Sequence, residues 1–199
     1  MQFSLFADAR PAAPETTDLV DGRLTLYRDW LAPTAADQLF EQCQSSLAWE
    51  QSILQIHGKA CPIPRLNAWY GDPGRDYTYS GASFTARPWT SALARLRDRI
   101  VATTGQNFNS VLANLYRDGR DSVAWHADDE PELGRNPVIA SVSLGAVRRF
   151  VLKHRRRSDL ARHELALPPG SLLVMDGVTQ HHWMHQVPKT AKPVGPRIN

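Results

Sequence analysis

Two stretches of the chain carry apolar residues at the spacing of three and four residues that defines one face of an α-helix. The first helix is predicted over residues 35–48, with Thr34 as its N-cap. The second is predicted from just after Pro88 to about residue 103, with Gly105 just past its end. The apolar stripes are Leu39, Phe40, Cys43 and Leu47 in the first helix, and Leu93, Leu96, Ile100 and Val101 in the second.

After the second helix the pattern changes to short β-branched segments that are bounded by glycine, proline and charged residues. These segments are SVLANLYR, PVIASVSLG, RRFVLKH, RHELALP and GSLLVMDG, and GRLTLYRDWL at 22–31 alternates in the same way earlier in the chain. Several short strands at such spacing predict a barrel or a double-sheet jelly roll, with the helices covering one outer sheet face. The expected fold class is therefore mainly β with flanking helices (α+β).

The length of 199 residues corresponds to a single domain. Residues 1–20 are rich in proline, alanine and small polar residues, which indicates an N-terminal arm before a domain over 21–199. No apolar run reaches membrane-spanning length, and the first residues lack the basic and apolar regions of a secretory signal. A cytoplasmic protein without a membrane segment is expected, with Cys43 and Cys61 as reduced thiols.

The net charge of +3 at pH 7 is mildly basic, and much of the positive charge lies in the segment RRFVLKHRRR at 148–157. Charge alone leaves two interpretations open. The cations can neutralise the phosphates of a nucleic acid, or they can mark a solvated strand end and turn. The charged members are Arg148, Arg149, Lys153, Arg155, Arg156 and Arg157.

The segment AWHADDE at 124–130 contains a histidine two residues before an aspartate, His126 and Asp128. In an extended chain residues i and i+2 point the same way, so both side chains can bind one metal ion. A third ligand is available in QHHWMHQVP, which contains His181, His182 and His185. Two histidines and a carboxylate form the facial triad of non-haem Fe(II) oxygenases. A polar loop with an exposed histidine is the competing interpretation.

An anionic co-substrate of such an oxygenase needs a fixed cation. Arg197 in VGPRIN is the candidate, because a guanidinium binds a carboxylate through two parallel hydrogen bonds. Asn199 lies on the same side of a strand as Arg197, and NLYRDG adds the pair Asn114 and Tyr116 at the same spacing. The competing interpretation is that Asn114 is bonded to the backbone and Tyr116 is an ordinary core residue.

In their order along the chain, these motifs resemble those of the AlkB-type nucleic-acid demethylases, which are Fe(II)- and 2-oxoglutarate-dependent dioxygenases. The matching segments are GKACPIPRLNAWYGDPGRDYTYSG at 58–81, NLYRDGRDSVAWHADDE, IASVSLGAVRRFVLKHR, HHWMHQVP and PRIN. The segment at 58–81 is most similar to the subgroup that acts on duplex DNA. The resemblance implies a double-stranded β-helix (jelly roll) with its core at about 108–199 and an N-terminal nucleotide-recognition lid at about 50–85.

The resemblance also implies a role for each matching residue. The iron ligands would be His126, Asp128 and His185, the last because it closes the H-W-x-H motif before a proline. The residues that hold 2-oxoglutarate would be Asn114, Tyr116, Arg197 and Asn199. The residues near the substrate base or in the nucleotide-facing lid would be Tyr79, Asp129, Glu130, Arg65, Tyr77 and His57.

The activity implied by the resemblance is oxidative demethylation of 1-methyladenine and 3-methylcytosine in single- or double-stranded DNA, with RNA as a further candidate substrate. It would use Fe(II), O2 and 2-oxoglutarate and release formaldehyde, succinate and CO2. Such a methylated base is cationic and pairs poorly, so flipping it out of the helix costs less, and an acidic pocket with an aromatic wall suits it. A monomer that binds alkylated DNA is expected, and the phosphate-binding interpretation of 148–157 is favoured.

Two other function classes remain as alternatives. One is a 2-oxoglutarate-dependent hydroxylase of a protein or small molecule, and the other is an inactive nucleic-acid-binding module. The acids at 129–130, the tyrosines at 77 and 79 and the basic segment argue against the hydroxylase.

The sequence departs from the family pattern at two places. A second arginine usually follows the first by about six residues, which lies beyond Asn199, so either the sequence stops within a strand or co-substrate binding differs. The segment QIHGK places His57 where the duplex-acting subgroup has an apolar or aromatic wedge. This second departure weakens the expectation that duplexes are preferred over single strands.

Overall fold

The structure is a computed structural model that describes residues 13–56, 59–74, 77–79 and 82–199, with the side chains of 55–56, 77–79 and 82–84 outside the description. Its helices are α1 (Pro33–Ser46), α2 (Ser91–Thr104) and α3 (Thr179–His182). Its strands are β1 (Glu15–Leu19), β2 (Gly22–Tyr27), β3 (Ile53–Ile56), β4 (Lys59–Pro62), β5 (Leu66–Gly71), β6 (Tyr77–Tyr79), β7 (Ala82–Phe84), β8 (Ser110–Tyr116), β9 (Val123–His126), β10 (Ile139–Val142), β11 (Leu144–Gly145), β12 (Arg149–His154), β13 (His163–Ala166), β14 (Leu172–Asp176), β15 (Trp183–Val187) and β16 (Arg197–Ile198). None of the helices in the described ranges is long and apolar enough to cross a membrane.

The two long helices begin at residues that suit helix starts. Thr90 is the N-cap of α2, where its hydroxyl accepts a backbone N–H of the first turn at 3.2 Å. Gly105 ends this helix in the left-handed region at φ 69°, which confirms the predicted end. The prediction of Thr34 as the N-cap of α1 is wrong, because Ala32 takes that position and Pro33 follows it. Proline suits the first turn, where its missing N–H costs no helical hydrogen bond.

The described residues form three four-stranded antiparallel sheets, which join strands that are distant in sequence. Their strand orders are β1-β2-β14-β10, β11-β16-β8-β5 and β13-β12-β15-β9. Two separate hairpins, β3–β4 and β6–β7, lie within the segment that the resemblance assigns to a nucleotide-recognition lid. The lid itself stays a prediction.

Two hydrophobic cores lie on opposite faces of β14, because successive side chains of a strand point to opposite sides. Leu172 and Val174 pack in the core that also contains the apolar faces of α1 and α2. Leu173 and Met175 face the other core, which includes Trp183 of β15. The helices therefore cover one outer face of a layered β-structure, which confirms the expected mainly β fold with flanking helices.

Part of the predicted N-terminal arm is an ordered strand. Residues 15–19 pair in register with β2 as an antiparallel hairpin. The turn of this hairpin is anchored to the body, since Nε1 of Trp183 donates to the carbonyl oxygen of Val20 at 2.8 Å. The arm predicted over residues 1–20 is therefore too long at its C-terminal end, because the backbone there has partners in β2.

Cys43 and Cys61 are both free thiols, as predicted. Cys43 is buried within α1, and burial raises the pKa of its thiol to about 11. This thiol is therefore protonated and unreactive at neutral pH.

Gly145 permits a close approach between β11, β16 and α1. Its φ is +75°, and it pairs with Arg197 across β11 and β16. A side-chain β-carbon at this position would lie 2.5 Å from the carbonyl oxygen of Pro196 and 2.7 Å from Cε2 of Phe40. Any larger residue must push β16 or α1 away, so this glycine positions the strand that carries Arg197.

The substitution Gly145→Ala is expected to lower the free energy of unfolding by about 3 kcal/mol, from left-handed backbone strain and overpacking together. Urea unfolding followed by tryptophan fluorescence measures the change. Gly105→Ala is the matched control, because Gly105 has φ +69° but nothing within 4 Å of the added carbon. Its cost is expected to be about 1 kcal/mol. Equal losses in the two variants would contradict the close approach.

Candidate metal centre and co-substrate pocket

The side chains of His126, Asp128 and His185 converge between two neighbouring strands. His126 ends β9 and pairs in register with His185 of β15, and Asp128 follows His126 by two residues. Asp128 lies 3.8 Å from Nε2 of His126 through Oδ1 and 3.5 Å from Nε2 of His185 through Oδ2. The three ligand atoms all lie within 4.8 Å of one another. The pairing of β9 with β15 therefore brings together the three residues predicted as metal ligands.

Both histidine rings are oriented by neighbouring groups. Nδ1 of His126 lies 2.8 Å from the carbonyl oxygen of Ala124. Because a carbonyl only accepts, Nδ1 carries the hydrogen and Nε2 presents its lone pair. The ring of His185 stacks on Phe150, with 5.2 Å between the ring centroids. Both histidines thus direct Nε2 toward the carboxylate of Asp128.

Burial governs the protonation of the two deepest groups. Burial, with a further contribution from nearby His126, lowers the pKa of His185 well below its ordinary value, so the ring is neutral and able to bind a metal. Burial also raises the pKa of Asp128, whose carboxylate lies deep although 26% of the side chain is exposed. A divalent cation would favour the ionised carboxylate and offset the cost of burying it. Two imidazoles and one carboxylate are the donor set of facial-triad iron sites, so these residues fit Fe(II).

The predicted co-substrate residues lie on another pair of strands. Tyr116 of β8 is opposite Arg197 of β16 in an antiparallel pair. The backbone groups of Asn114 and Asn199 form two reciprocal hydrogen bonds, at 2.8 and 3.0 Å. Strand alternation places these four side chains on one face, while the residues between them pack toward the helices. The two i, i+2 pairs predicted from the sequence therefore meet side by side.

Arg197 is a guanidinium buried at 1% exposure. Its Nη1 donates to Oδ1 of Asn199 and its Nη2 to Oγ of Ser143, both at 3.0 Å. Its Nε is buried without a hydrogen-bond partner among the described residues. Burial lowers the pKa of Arg197, and the Tyr116 side chain opposes this effect. A carboxylate ligand such as that of 2-oxoglutarate would supply both the missing charge and the missing acceptor, so the residues fit this co-substrate.

A cavity of about 480 Å³ is lined by the three candidate metal ligands, by Asn114, Tyr116 and Asn199 of the predicted co-substrate set, and by Arg65. Arg197 lies behind Tyr116 and Asn199 rather than in the cavity lining itself. Arg65 was expected in the nucleotide-facing lid, but it is only 6% exposed, and its Nε donates to Oδ1 of Asn114 at 2.8 Å. It lies inside because it directly precedes β5, which pairs with β8. Arg65 therefore orients Asn114 within the pocket rather than forming an outer lid surface.

The structure describes only some of the side chains that were predicted near the base. Asp129 forms an ion pair with Arg155 at 2.7 Å, and both side chains are about one third exposed. This pairing reduces the negative charge that Asp129 can offer to a cationic base. Glu130 is partly buried and directly precedes a short helical turn. The predicted positions that lie outside the described residues are His57 and the side chains of Tyr77 and Tyr79.

The other two histidines of the QHHWMHQVP segment have partners away from this centre. His181 contacts the backbone carbonyl of Arg135 through Nε2. Nδ1 of His182 lies 3.9 Å from a carboxylate oxygen of Asp21 in the β1–β2 turn. The choice of His185 as the third ligand therefore agrees with the positions of all three histidines.

Asp21, His154 and His182 form a second group whose potential ligand atoms lie within 4.8 Å of one another. Nδ1 of His154 accepts two backbone N–H groups of the following turn, at 3.1 and 2.9 Å. Its Nε2 therefore carries the hydrogen and points this donor at Asp21, 3.5 Å away. A donor at this atom offers no lone pair to a metal, in contrast to Nε2 of His126.

Gln180 supports the candidate metal centre and was missed by the sequence analysis. It is 1% exposed, and its Oε1 accepts the backbone N–H of Asp128 at 3.0 Å. Its Nε2 lies 3.7 Å from Sδ of Met175, which fills its other side. The sequence signal was only a glutamine ahead of a histidine-rich motif. Its role appears when α3 is placed against the loop after β9.

Arg148 belongs to the basic segment 148–157 but is 3% exposed. Its guanidinium donates to the carbonyl oxygens of Asp118 and Asp121, both at 2.9 Å, and of Pro188 at 2.7 Å. It thereby ties the β8–β9 loop to the end of β15. Arg148 is a structural residue that fixes strands carrying the pocket side chains.

The substitution Gln180→Leu is expected to weaken Mn(II) affinity by about 10–100-fold, because Asp128 loses the group that orients its backbone. Isothermal titration of the metal-free protein with Mn(II) measures the affinity without requiring turnover. Gln186→Leu is the matched control, because Gln186 is a half-buried residue of β15 that alternates with the inward-facing side chains. Wild-type affinity in Gln180→Leu would contradict the supporting role.

Comparison with known proteins agrees with this geometry. The chain is 42% identical over 175 residues to the DNA oxidative demethylase ALKBH2 of Bos taurus, covering 82% of this chain and 62% of that protein. It is 40% identical over 185 residues to the alpha-ketoglutarate-dependent dioxygenase alkB homolog 3 of Homo sapiens, covering 89% and 64%. The chain thus spans a little less than two thirds of the length of these curated relatives.

The solved structure of OsALKBH1 matches with a TM-score of 0.61 at 14% identity, over 92% of this chain and 97% of that one. At this identity the likeness concerns the fold alone. A family model described as the 2OG-Fe(II) oxygenase superfamily matches residues 23–199, which include the candidate metal ligands. The chain therefore belongs to the 2OG-Fe(II) oxygenase superfamily and, with its AlkB relatives, to the AlkB-type members of it.

Proposed function

We propose that the protein is an oxidative demethylase that removes methyl groups from alkylated bases in DNA. The observation that carries the proposal is the placement of the His126, Asp128 and His185 set in the same jelly roll as the buried, incompletely bonded Arg197. The name of the bovine relative, DNA oxidative demethylase, supports DNA as the substrate class.

In this proposal His126, Asp128 and His185 would hold Fe(II). Arg197 binds a carboxylate of 2-oxoglutarate. Its hydrogen bonds to Ser143 and Asn199 hold the guanidinium in one orientation. Because Arg197 is buried, this charge pair forms away from water and is correspondingly strong. Tyr116 and Asn114 line the cavity that also contains the candidate metal ligands, and they offer further polar contacts.

When bound, Fe(II), O2 and 2-oxoglutarate supply the oxidising chemistry that hydroxylates the methyl group, with formaldehyde, succinate and CO2 as the released products. The side chains of the chain act by placement and electrostatics rather than as nucleophiles. His185 is held neutral by burial, and the hydrogen on Nδ1 of His126 is fixed by Ala124. Nε2 of His126 therefore presents its lone pair on the side of Asp128, and the neutral ring of His185 has one nitrogen able to bind a metal.

Methylation at N1 of adenine or N3 of cytosine makes the base cationic, so an acidic wall favours it. We assign this wall to Glu130 and Asp129, with the charge of Asp129 shared with Arg155. The proposed aromatic partner of the flipped base is Tyr79, with Tyr77 and His57 in the lid. These lid contacts are assigned by resemblance to the AlkB-type pattern.

Alkylated DNA in single or double strands is the proposed partner, and RNA is a second candidate that the same base chemistry allows. The proposed working unit is a monomer.

The protein with Fe(II) and 2-oxoglutarate is expected to release formaldehyde from a single-stranded oligonucleotide that contains 1-methyladenine. His126→Ala is expected to reduce this release to background, because it removes one metal ligand. His181→Ala is the control, since this histidine of the same motif region lies away from the centre and should retain most of the activity.

Iron bound to the wild-type protein without formaldehyde from any methylated DNA or RNA strand would contradict the proposed function. Turnover of 2-oxoglutarate that is stimulated by a protein or small molecule would favour a hydroxylase instead.

The substitution Arg197→Lys is expected to raise the KM for 2-oxoglutarate by about tenfold or more, because an ammonium cannot form the two parallel hydrogen bonds of a guanidinium. Succinate formation at varied 2-oxoglutarate concentration measures this constant. Arg149→Lys is the control, since Arg149 is exposed and paired with Glu164. An unchanged KM in Arg197→Lys would exclude Arg197 as the co-substrate anchor.

A further inference from the structure

Five of the six cations of the basic segment 148–157 have side chains with a defined partner, and these five fall into two groups. Most of them are already engaged: Arg148 with backbone carbonyls, Arg149 with Glu164, Arg155 with Asp129 and Arg157 with Asp159. Lys153 has a different environment, because its Nζ lies 4.6 Å from the ring centroid of Trp125. The segment as a whole is therefore not a uniform phosphate-binding surface.

Trp125 also holds a second cation. Cζ of Arg162, which directly precedes β13, lies 5.7 Å from the same ring centroid. The ion pairs recorded for the described ranges include neither Lys153 nor Arg162. Trp125, Lys153 and Arg162 are called the cation–aromatic platform below.

The platform lies on the outer face of the sheet β13-β12-β15-β9. Trp125 directly precedes the candidate ligand His126 on β9, so the two side chains point to opposite faces of that strand. Lys153 pairs across β12 and β15 with Met184, which is half-buried between two buried neighbours. The outer platform and the inner metal centre are thus back to back on the same edge strand.

Two like charges at one aromatic ring repel each other unless an anion lies between them. The ring attracts each cation and holds it in place, so less conformational freedom is lost when an anion binds. A nucleic-acid strand carries regularly spaced phosphates, and single strands commonly bind on aromatic and cationic side chains together. An acidic peptide shares the charge but has no reason to be next to a base-binding pocket.

We propose that the cation–aromatic platform binds the phosphate backbone of the substrate strand where it continues beyond the base held in the pocket. This inference rests on the proposed function for the identity of the ligand as nucleic acid. It selects Lys153 and Arg162, and not the ion-paired arginines nearby, as the phosphate contacts.

The double variant Lys153→Ala/Arg162→Ala tests the platform by fluorescence anisotropy with an unmodified single-stranded oligonucleotide that is longer than the pocket. We expect about tenfold weaker binding and a decrease of about 1.4 in the slope of log affinity against log salt. The matched control is Arg149→Ala/Arg157→Ala, which removes the same net charge from exposed, ion-paired positions. The control is expected to change the affinity much less.

Turnover provides a second measurement. Demethylation of a methylated trinucleotide, which is too short to reach the outer face, is expected to be unchanged in Lys153→Ala/Arg162→Ala. The KM for a long methylated strand is expected to rise in the same variant. Thermal unfolding checks that both double variants keep the fold.

Equal weakening in the two double variants would overturn the platform, because net charge alone would then explain binding. Competition by polyglutamate as effective as that by the oligonucleotide would overturn the assignment to nucleic acid. If the wild type demethylates normally and Lys153→Ala/Arg162→Ala binds long strands with unchanged affinity, the platform is excluded and the proposed function stands. If Lys153→Ala/Arg162→Ala selectively loses strand binding but the wild type demethylates no strand, the platform stands and the proposed function is overturned.

Discussion

Burying a guanidinium costs free energy unless its N–H groups find hydrogen-bond acceptors. In this jelly roll the constraint applies at Arg197, and the strands around it supply acceptors. Ser143 and Asn199 accept two of its donor groups, and the ring of Tyr116 lies 5.5 Å from its Cζ. Because β16 is only two residues long, its place depends on pairing with β8 on one side and β11 on the other. The absence of a side chain at Gly145 makes the second pairing possible.

The candidate metal centre depends on the same strand alternation in a different sheet. His126 and His185 face inward because β9 and β15 pair in register, and the outward positions next to them are free for another task. Two buried side chains fix this arrangement from outside the ligand set. Gln180 binds the backbone of Asp128, and Arg148 ties the β8–β9 loop to the end of β15. A ligand set on separate strands keeps its geometry through such contacts.

Much of the candidate site could be predicted from local sequence, because the strand period of two is a local property. The H-x-D pair and the Arg197–Asn199 pair follow from it, and the stripe of α2 with its end at Gly105 follows from the helical period. The selection of His185 among three histidines came from the resemblance to AlkB-type enzymes and not from spacing. Spacing could not select it, because the partner strand of each histidine is not encoded locally.

The sequence by itself, with its resemblance to AlkB-type enzymes, predicted the fold class, the candidate metal ligands and the candidate co-substrate residues. Tertiary structure alone placed Arg65 against Asn114, Gln180 under Asp128, and residues 15–19 in a sheet edge. It also separated buried, ion-paired and ring-bound side chains among five of the six cations of the basic segment, which look alike in the sequence. The physical reason is that each of these outcomes depends on pairing between strands far apart in the chain, which local periodicity does not specify.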